Sequence, residues 1–288
     1  MANLKQIRQR IKTSKNIRQI TRAMKLVAAA RLKKAQDRVT EARPYSEKMR
    51  ELMLSLSEAG GLPSHPLLEK RSGGKTCLIL ITADRGLAGS YNTNLLRKSS
   101  DFLKEMGGGI DLYYVGKKGF QFFNRRGVNS VGQYTVPSTG ARVEDAQEVT
   151  KTASELFVNG AYDKILVCYS KFYSPIRQVP QIVQVLPIEP PAADDGSTGK
   201  ISKDYQFEPD SETLLATLLP KYLLNIIFQA MLESTASEHG SRMTAMSSAT
   251  DNAGKMIDEL TLKANRERQS KITTEILEVV GGAEALNN

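Results

Sequence analysis

The chain has 288 residues, a net charge of +9 at neutral pH and a pI of about 9.4. That length allows one large or two ordinary domains, and a hydrophobic content of 40% is typical of a globular protein. The absence of tryptophan and the few aromatic residues argue against a single large aromatic core. The basic charge favours an acidic partner, which protein, nucleic acid or lipid headgroups could each supply.

Residues 3–58 contain no glycine and one proline, Pro44. Apolar or small residues recur there in steps of three and four, with a slip near Ser14, which predicts a long helix with a coiled-coil seam. We expect Pro44 to kink this helix, and Gly60 and Gly61 to stop it. The predicted seam consists of Leu4, Ile7, Ile11, Ile17, Ile20, Met24, Val27, Ala28, Leu32, Ala35, Val39, Ala42, Tyr45, Met49, Leu52 and Leu56.

The middle of the chain alternates between strand and helix patterns. Strands are predicted at 75–82, 110–116, 128–136, 163–172 and 179–188, and helices at 92–106, 117–127 and 143–158. This alternation predicts an α/β domain with a mostly parallel sheet covered by helices. Cys77 and Cys168 lie in predicted strands, so we expect buried thiols rather than a disulfide or metal ligands, which favours a reducing compartment.

The last predicted element is one helix from about residue 210 to 286, roughly 100 Å long at 1.5 Å per residue. Its apolar stripe needs a cover, because packing of that face supplies most of the stability of a helix. We predict an antiparallel two-helix coiled coil with the first helix, since one helix runs into the α/β domain and the other runs out of it. The predicted domains are residues 1–59 and 209–288, which form a helical shaft, and 60–208, which form an α/β foot.

Setting residue 58 against residue 209 gives a register in which Met24 faces about Arg242. Beyond Arg266 the C-terminal helix then has no partner within the chain. Exposure of the apolar side chains of such an unpaired tip to water is unfavourable, so another protein should cover the tip. These apolar residues are Ile272, Ile276, Leu277, Val279, Val280 and Leu286. No apolar run reaches the roughly 18 residues that a membrane span needs, so no spanning helix is predicted.

Two glycine-containing stretches could suggest phosphate binding. GGKT at 73–76 is similar to the end of a phosphate-binding loop, but it precedes a strand, whereas that motif follows one. ADRGLAGSYN at 83–92 lies between a strand and a helix, where α/β domains often bind phosphates. GLAG is too short for a dinucleotide fingerprint, so we favour a structural turn. The two histidines have no second ligand at metal spacing, and the sequence predicts no catalytic site, cofactor or metal.

The first helix is strongly basic, with Asp37 as the only acidic residue up to position 40. Such a helix could follow the phosphates of a nucleic acid, or it could move past acidic protein surfaces. No base-reading module accompanies it, and charge alone does not separate the two hypotheses. A basic coiled-coil protein that binds nucleic acid is therefore one alternative, and an α/β enzyme with a ligand at residues 83–92 is another.

Four stretches of the sequence are distinctive. They are QITRAMKLVAAARLKKAQ (19–36), ITADRGLAGSYN (81–92), SEHGSRMTAMSSATDNAG (237–254) and NRERQSKITTEILEVVGGAEAL (265–286). Their order and sequence resemble the signature stretches of the gamma subunit of bacterial F-type ATP synthase. The resemblance covers essentially the whole chain.

The resemblance implies a non-catalytic subunit that acts as the central rotor shaft of the synthase. The helical pair would lie inside a ring of alpha and beta subunits, and the foot would bind the epsilon subunit and the membrane c-ring. The subunit would lie at the cytoplasmic side of the plasma membrane, peripheral to it. Proton flow would turn the shaft, which would couple rotation to ATP synthesis or hydrolysis at the beta subunits. No cofactor and no nucleic acid are implied.

The resemblance also implies roles for individual residues. Contacts between the shaft and the ring are implied for Met24, Lys25, Arg242, Arg268, Gln269, Thr273, Thr274, Glu275 and Val280. Contacts of the foot with the c-ring or the epsilon subunit are implied for Tyr205 and Glu208.

Overall fold

The computed structural model describes residues 4–60, 65–71, 73–137, 140–189 and 211–286. The elements in chain order are α1 (Leu4–Gly60), a 3-10 helix (Pro66–Leu68), β1 (Thr76–Ile81), α2 (Tyr91–Glu105), β2 (Ile110–Val115), α3 (Lys117–Asn124), β3 (Ser130–Tyr134), α4 (Val143–Val158), β4 (Lys164–Phe172), β5 (Gln178–Leu186) and α5 (Ser211–Leu286). Each helix and strand predicted from the sequence is present, and Pro44 lies inside α1 without ending it. The short 3-10 helix was not predicted.

The chain forms two compact units, and both long helices contribute to each of them. The helical unit comprises the described residues of Met1–Ala28 and Met243–Asn288. The sheet unit comprises the described residues of Ala29–Arg242. The functional division at residues 59/60 and 208/209 stays a prediction.

The sheet unit is built on five strands in the order β3-β2-β1-β4-β5. The strands β3, β2, β1 and β4 are parallel, and β5 pairs antiparallel with β4. Every residue of β1 is buried, as expected for a central strand with helices on both faces. The mostly parallel sheet predicted from the alternating pattern is confirmed.

Helices cover both faces of the sheet. On one face α4 and α5 pack on the strands, and α5 contributes Leu215, Leu219, Leu223 and Ile227. On the other face α2 and α3 form a second core. Burial raises the pKa of the Cys77 thiol to about 12 and that of Cys168 to about 11. Both cysteines are free and buried, as predicted.

The helix α5 contains one long apolar stretch. Within Thr213–Ala283 one 18-residue stretch has a mean hydropathy of 1.4, which meets the length and composition of a membrane span, and 44% of it is buried in the protein. The core helix of a globular protein passes the same test, so this stretch does not contradict the prediction of no spanning helix. Packing of α5 on the sheet accounts for apolar residues in its described part.

In the helical unit, α1 buries a stripe with a strict seven-residue interval: Ile7, Ser14, Thr21 and Ala28. The facing stripe of α5 includes Met246, Ala253, Ile257 and Ala264. This is the interval expected for a coiled coil, and it passes through Ser14 without the predicted slip. The predicted seam also included Ile17, Ile20 and Val27, which is wrong, because these side chains are 48%, 58% and 53% exposed.

The predicted register between α1 and α5 is also wrong, by about one helical turn. Ser46 donates a hydrogen bond to Asn225 in the sheet unit, where the predicted register gives residue 221. In the helical unit Lys25 contacts Ser247, where the predicted register gives residue 242. The error arose from the helix ends, because α1 ends at Gly60 rather than 58 and α5 begins at Ser211 rather than 209.

Candidate functional surfaces

The tip of α5 is the most exposed apolar segment of the helical unit. Every residue from Arg268 to Ala283 is exposed. Ile272, Ile276 and Val279 lie four and three residues apart, and their side chains are 47%, 57% and 72% exposed. Such a spacing places them on one face of the helix. The unpaired apolar tip predicted from the sequence is present in the structure.

The candidate residues at the tip make only local contacts among the described residues. The Thr273 hydroxyl donates to the carbonyl of Gln269 at 3.0 Å, and the Thr274 hydroxyl donates to the carbonyl of Ser270 at 3.0 Å. The Lys271 ammonium lies 3.8 Å from the Glu275 carboxylate. Because these hydrogen bonds use the threonine hydroxyl protons within the helix, the threonines present mainly their methyl groups to solvent. The remaining polar surface of the tip comes from a few charged side chains.

The candidate residues on α1 lie beside a second apolar stripe. The Lys25 ammonium donates to the Ser247 hydroxyl at 3.0 Å, so its charge is held against α5. Met24 is half-buried. Ile17, Ile20, Met24 and Val27 share one face of α1, about a quarter turn from the buried stripe. Sequence analysis missed this surface because it assigned all of these residues to the seam.

Arg242 is an internal residue of the sheet unit. Its guanidinium lies 2.6 Å from the Glu238 carboxylate, and the two side chains are 11% and 22% exposed. The same guanidinium donates to the Gly86 carbonyl at 3.4 Å. Arg242 therefore joins α5 to the turn between β1 and α2.

Burial governs the electrostatics around Arg242. Desolvation raises the pKa of the Glu238 carboxyl, and Arg242 partly opposes this rise. Desolvation, with contributions from Arg242 and Arg31, lowers the pKa of His239 to about 4. His239 is thus neutral at pH 7. Its Nδ1 lies 3.3 Å from the Arg242 guanidinium. Because a guanidinium only donates, Nδ1 is the acceptor and the proton of the ring is on Nε2.

The turn at 83–92 is occupied by contacts of the protein itself. The Ser241 hydroxyl of α5 donates to the Ala88 carbonyl at 2.7 Å, and Ser237 donates to the Ser170 carbonyl of β4 at 2.9 Å. α5 therefore joins the turn after β1 to strand β4, next to the point in the strand order where α/β domains usually bind ligands. The Asp84 carboxylate accepts from the Lys117 amide at the start of α3, which also disfavours an anion there. The turn predicted between β1 and α2 is present, and its purely structural role stays a prediction.

The GGKT stretch holds a carboxylate rather than a phosphate. The Gly74 amide donates to the Asp163 carboxylate at 2.6 Å. A side chain at position 74 would place its Cβ 2.3 Å from that carboxylate, so the close approach requires glycine. The predicted foot contacts Tyr205 and Glu208 lie outside the described residues.

The fold and the exposed tip together define a class of protein. It is an α/β domain combined with an antiparallel helical pair, in which the end of one helix leaves large apolar side chains exposed. The profile of a family described as ATP synthase matches residues 3–286. The chain belongs to the ATP synthase gamma chain family.

Relatives support this assignment over the full length of the chain. The ATP synthase gamma chain of Pelotomaculum thermopropionicum is 44% identical over 286 residues, which cover 99% of this chain and 100% of the relative. That of Brevibacillus brevis is 43% identical over 285 residues, or 98% of each chain. The nucleic-acid alternative receives no support from these comparisons.

Solved structures share the fold. A chain from the rotor of the Euglena gracilis mitochondrial ATP synthase has a TM-score of 0.67 and 18% identity, with 93% of this chain and 98% of that chain covered. A chain from the central stalk and c-ring of the Tetrahymena thermophila mitochondrial ATP synthase has a TM-score of 0.60 and 23% identity, with coverage of 80% and 99%. At these identities the similarity establishes the fold alone.

Proposed function

We propose that the chain is the rotating central shaft of an ATP synthase and contributes no catalytic residue itself. The observation that carries this proposal is the exposed apolar tip of α5, which includes Ile276 and Val279. Apolar surface gains roughly 25 cal/mol per Å² when it is removed from water, so a sheath around the tip would be stable. A ring of alpha and beta subunits is the sheath that gamma chain family membership favours.

The remaining partners follow from the same family. We assign the epsilon subunit and the membrane c-ring to the predicted foot, residues 60–208, with Tyr205 and Glu208 among the contact residues. The complex would lie at the cytoplasmic face of the plasma membrane, and this chain would be peripheral to the bilayer. The functional domains would be residues 1–59, 60–208 and 209–288.

The mechanism requires the shaft to contact different beta subunits differently. A partner shifts a conformational equilibrium only by the difference between its interactions with the two states. Reversing a two-state population from 1:99 to 99:1 takes about 5.5 kcal/mol of such difference. The helical unit has the asymmetry that this mechanism needs, because Ile17, Ile20 and Val27 form an apolar stripe on one side of α1.

The candidate residues of the shaft would have different roles in its contacts with the ring. Arg268 and Gln269 offer hydrogen-bond donors to carboxylates and carbonyls of the ring. Thr273, Thr274, Glu275 and Val280 would line the part of the shaft that turns inside the sleeve. Met24 would contact the ring directly. Lys25 and Arg242 would act as positioning residues, since both are engaged with other residues of the chain.

Reconstitution tests this proposal. The chain is mixed with purified alpha and beta subunits from the same source, and ATPase activity and complex formation are measured with and without it. We expect a stable complex and increased turnover with the full chain. The variant Ile276→Asp/Val279→Asp should weaken assembly or coupling, because two carboxylates would enter an apolar sleeve.

A matched control is Lys263→Asp at an exposed position of the same helix, which lowers the net charge by the same two units without adding a carboxylate to the apolar face. The proposal fails if the full chain neither joins the ring nor alters its turnover. The hypothesis that a sleeve covers the apolar tip fails separately if Ile276→Asp/Val279→Asp and the control variant couple rotation to ATP turnover equally well.

A further inference from the structure

A cleft in the sheet unit is lined by cations from α1. It has a volume of about 200 Å³ and is formed by α1, the loop before α4, and α5. Its basic residues are Arg31, Lys34 and Arg38, which face Gly140 and Thr235 across the cleft. No aspartate or glutamate lines it among the described residues. The cleft therefore concentrates positive charge in a confined space, which raises the local concentration of anions.

The charges of the cleft are not neutralised by the part of the chain that the structure describes. The Lys33 ammonium and the Asp37 carboxylate pair at 2.8 Å on the exposed side of α1, so Asp37 does not neutralise the cations of the cleft. Arg31 interacts electrostatically with the Glu238 carboxylate, but Glu238 is already paired with Arg242. Three like charges that share a small cleft repel one another, and a bound anion would remove that repulsion.

The cleft is also partly organised in advance. The Arg38 guanidinium donates to the Ala141 carbonyl at 3.3 Å, which fixes its position at the wall. Gly140 has a φ of +94°, and a Cβ there would lie 3.3 Å from the same guanidinium. The positive φ favours glycine at this position of the loop, and any other residue would also push the Arg38 guanidinium aside. His239 lines the cleft as the neutral Nε2–H tautomer, which adds a donor without a charge.

We propose that this cleft is a binding site for one tetrahedral oxyanion of the phosphate class. Guanidinium and ammonium groups bind such anions through charge-assisted hydrogen bonds. A cleft of about 200 Å³ holds one phosphate with a few waters, since a water molecule occupies about 30 Å³ of liquid. An extended acidic peptide would not fit inside it. The phosphate could be the free ion or a phosphoryl group of a nucleotide, and no part of the rotor proposal is needed for either.

The test uses the full-length chain and inorganic phosphate at constant ionic strength. Binding is measured by titration calorimetry, and the Tm is followed with phosphate and with chloride. We expect one phosphate per chain and a higher Tm in phosphate. Arg31→Gln should weaken binding by about tenfold or more, because it removes one charge-assisted contact. Lys33→Gln is the matched control, since it removes one positive charge from the same helix outside the cleft.

Each outcome decides the assignment. Arg31 and Lys34 are exposed on a helix, so circular dichroism should show that Arg31→Gln and Lys34→Gln remain folded. Equal loss in Arg31→Gln and Lys33→Gln would indicate general attraction to a basic helix and overturn the site. Absence of phosphate binding together with Arg31-dependent binding of an acidic peptide would also overturn it. A competition with ADP distinguishes the two sources of the phosphate group. If ADP displaces bound phosphate at a concentration lower than free phosphate itself needs for binding, the ligand is a phosphoryl group of a nucleotide. If ADP does not displace it, the ligand is the free ion.

Discussion

Arg242→Leu should destabilise the sheet unit through the carboxylate that it leaves behind. The Arg242 guanidinium lies 2.6 Å from Glu238, and the two side chains are only 11% and 22% exposed. Removing one partner of a fully buried pair costs ~3–5 kcal/mol, and the partial exposure of Glu238 lowers our expectation below that range, to about 2–3 kcal/mol. The loss is measured as the free energy of unfolding by urea, followed by circular dichroism.

The loss should depend on pH. Desolvation raises the pKa of Glu238, and Arg242 opposes this rise, so the pKa should rise further in Arg242→Leu. A carboxyl whose pKa is raised by folding contributes stability below its unfolded pKa, and this contribution is lost as pH rises through the folded pKa. The penalty should therefore be full at about pH 8 and shrink toward the unfolded glutamate pKa of about 4.3.

Two further variants separate this explanation from a general loss of packing. Glu238→Leu/Arg242→Leu should recover most of the stability, because replacing both partners of a buried pair by apolar residues is often neutral or better. Arg266→Leu, at an exposed position of the same helix, should change the free energy of unfolding little. The reasoning is refuted if Arg242→Leu matches this control, or if its penalty is the same at both ends of the pH range.

Three more predictions concern the sheet unit. Glu233→Gln should increase the free energy of unfolding by about 1 kcal/mol at neutral pH, because one buried carboxylate oxygen of Glu233 has no hydrogen-bond partner among the described residues. Burial raises the pKa of Glu233, so this gain should disappear in urea unfolding as pH falls and the carboxyl takes up a proton. Gly74→Ala should cost about 1 kcal/mol in thermal unfolding, because its Cβ would displace the Asp163 carboxylate and remove the hydrogen bond from the residue-74 amide; an unchanged Tm would contradict the close approach. Oxidation should cross-link Ser46→Cys/Asn225→Cys but not Ser46→Cys/Lys221→Cys, as judged by mobility on non-reducing gels, and the opposite result would restore the register predicted from the sequence.

Most of the secondary structure could be predicted because each element carries a strong local pattern. The run TCLILI is buried throughout as β1, and the alternation of strands with helices indicated the parallel sheet. Pro44 was tolerated within α1, so a single proline did not divide the long helix. The antiparallel pairing of the two long helices followed from connectivity alone.

The contacts between the long helices could not be predicted in the same way. Apolarity selected Ile17 and Ile20 for the seam, whereas the structure buries Ser14 and Thr21 and leaves both isoleucines exposed. Small polar residues fit this seam because their hydroxyls find partners in it, as Thr21 does with Thr250 at 2.9 Å. An error of two residues at each helix end was enough to shift the register by a turn.

The candidate residues show the same limit. Exposure of the α5 tip followed from chain length, because α1 is too short to cover it. The hydrogen bond from Arg242 to the Gly86 carbonyl joins two segments that are distant in sequence, so no local pattern indicated it. The cleft beside Arg31 likewise combines three separate segments, and the sequence showed only that α1 is basic.

The central claim is that this chain turns while the ring hydrolyses ATP. The most direct measurement attaches a bead to Glu105→Cys, an exposed position at the end of α2, in a complex with surface-fixed alpha and beta subunits. The two native cysteines are buried, so the label should react selectively. We predict that adding ATP makes the bead rotate in one direction, in discrete steps that stop when ATP is removed. Sustained ATP hydrolysis by an intact complex with a stationary bead would contradict the account.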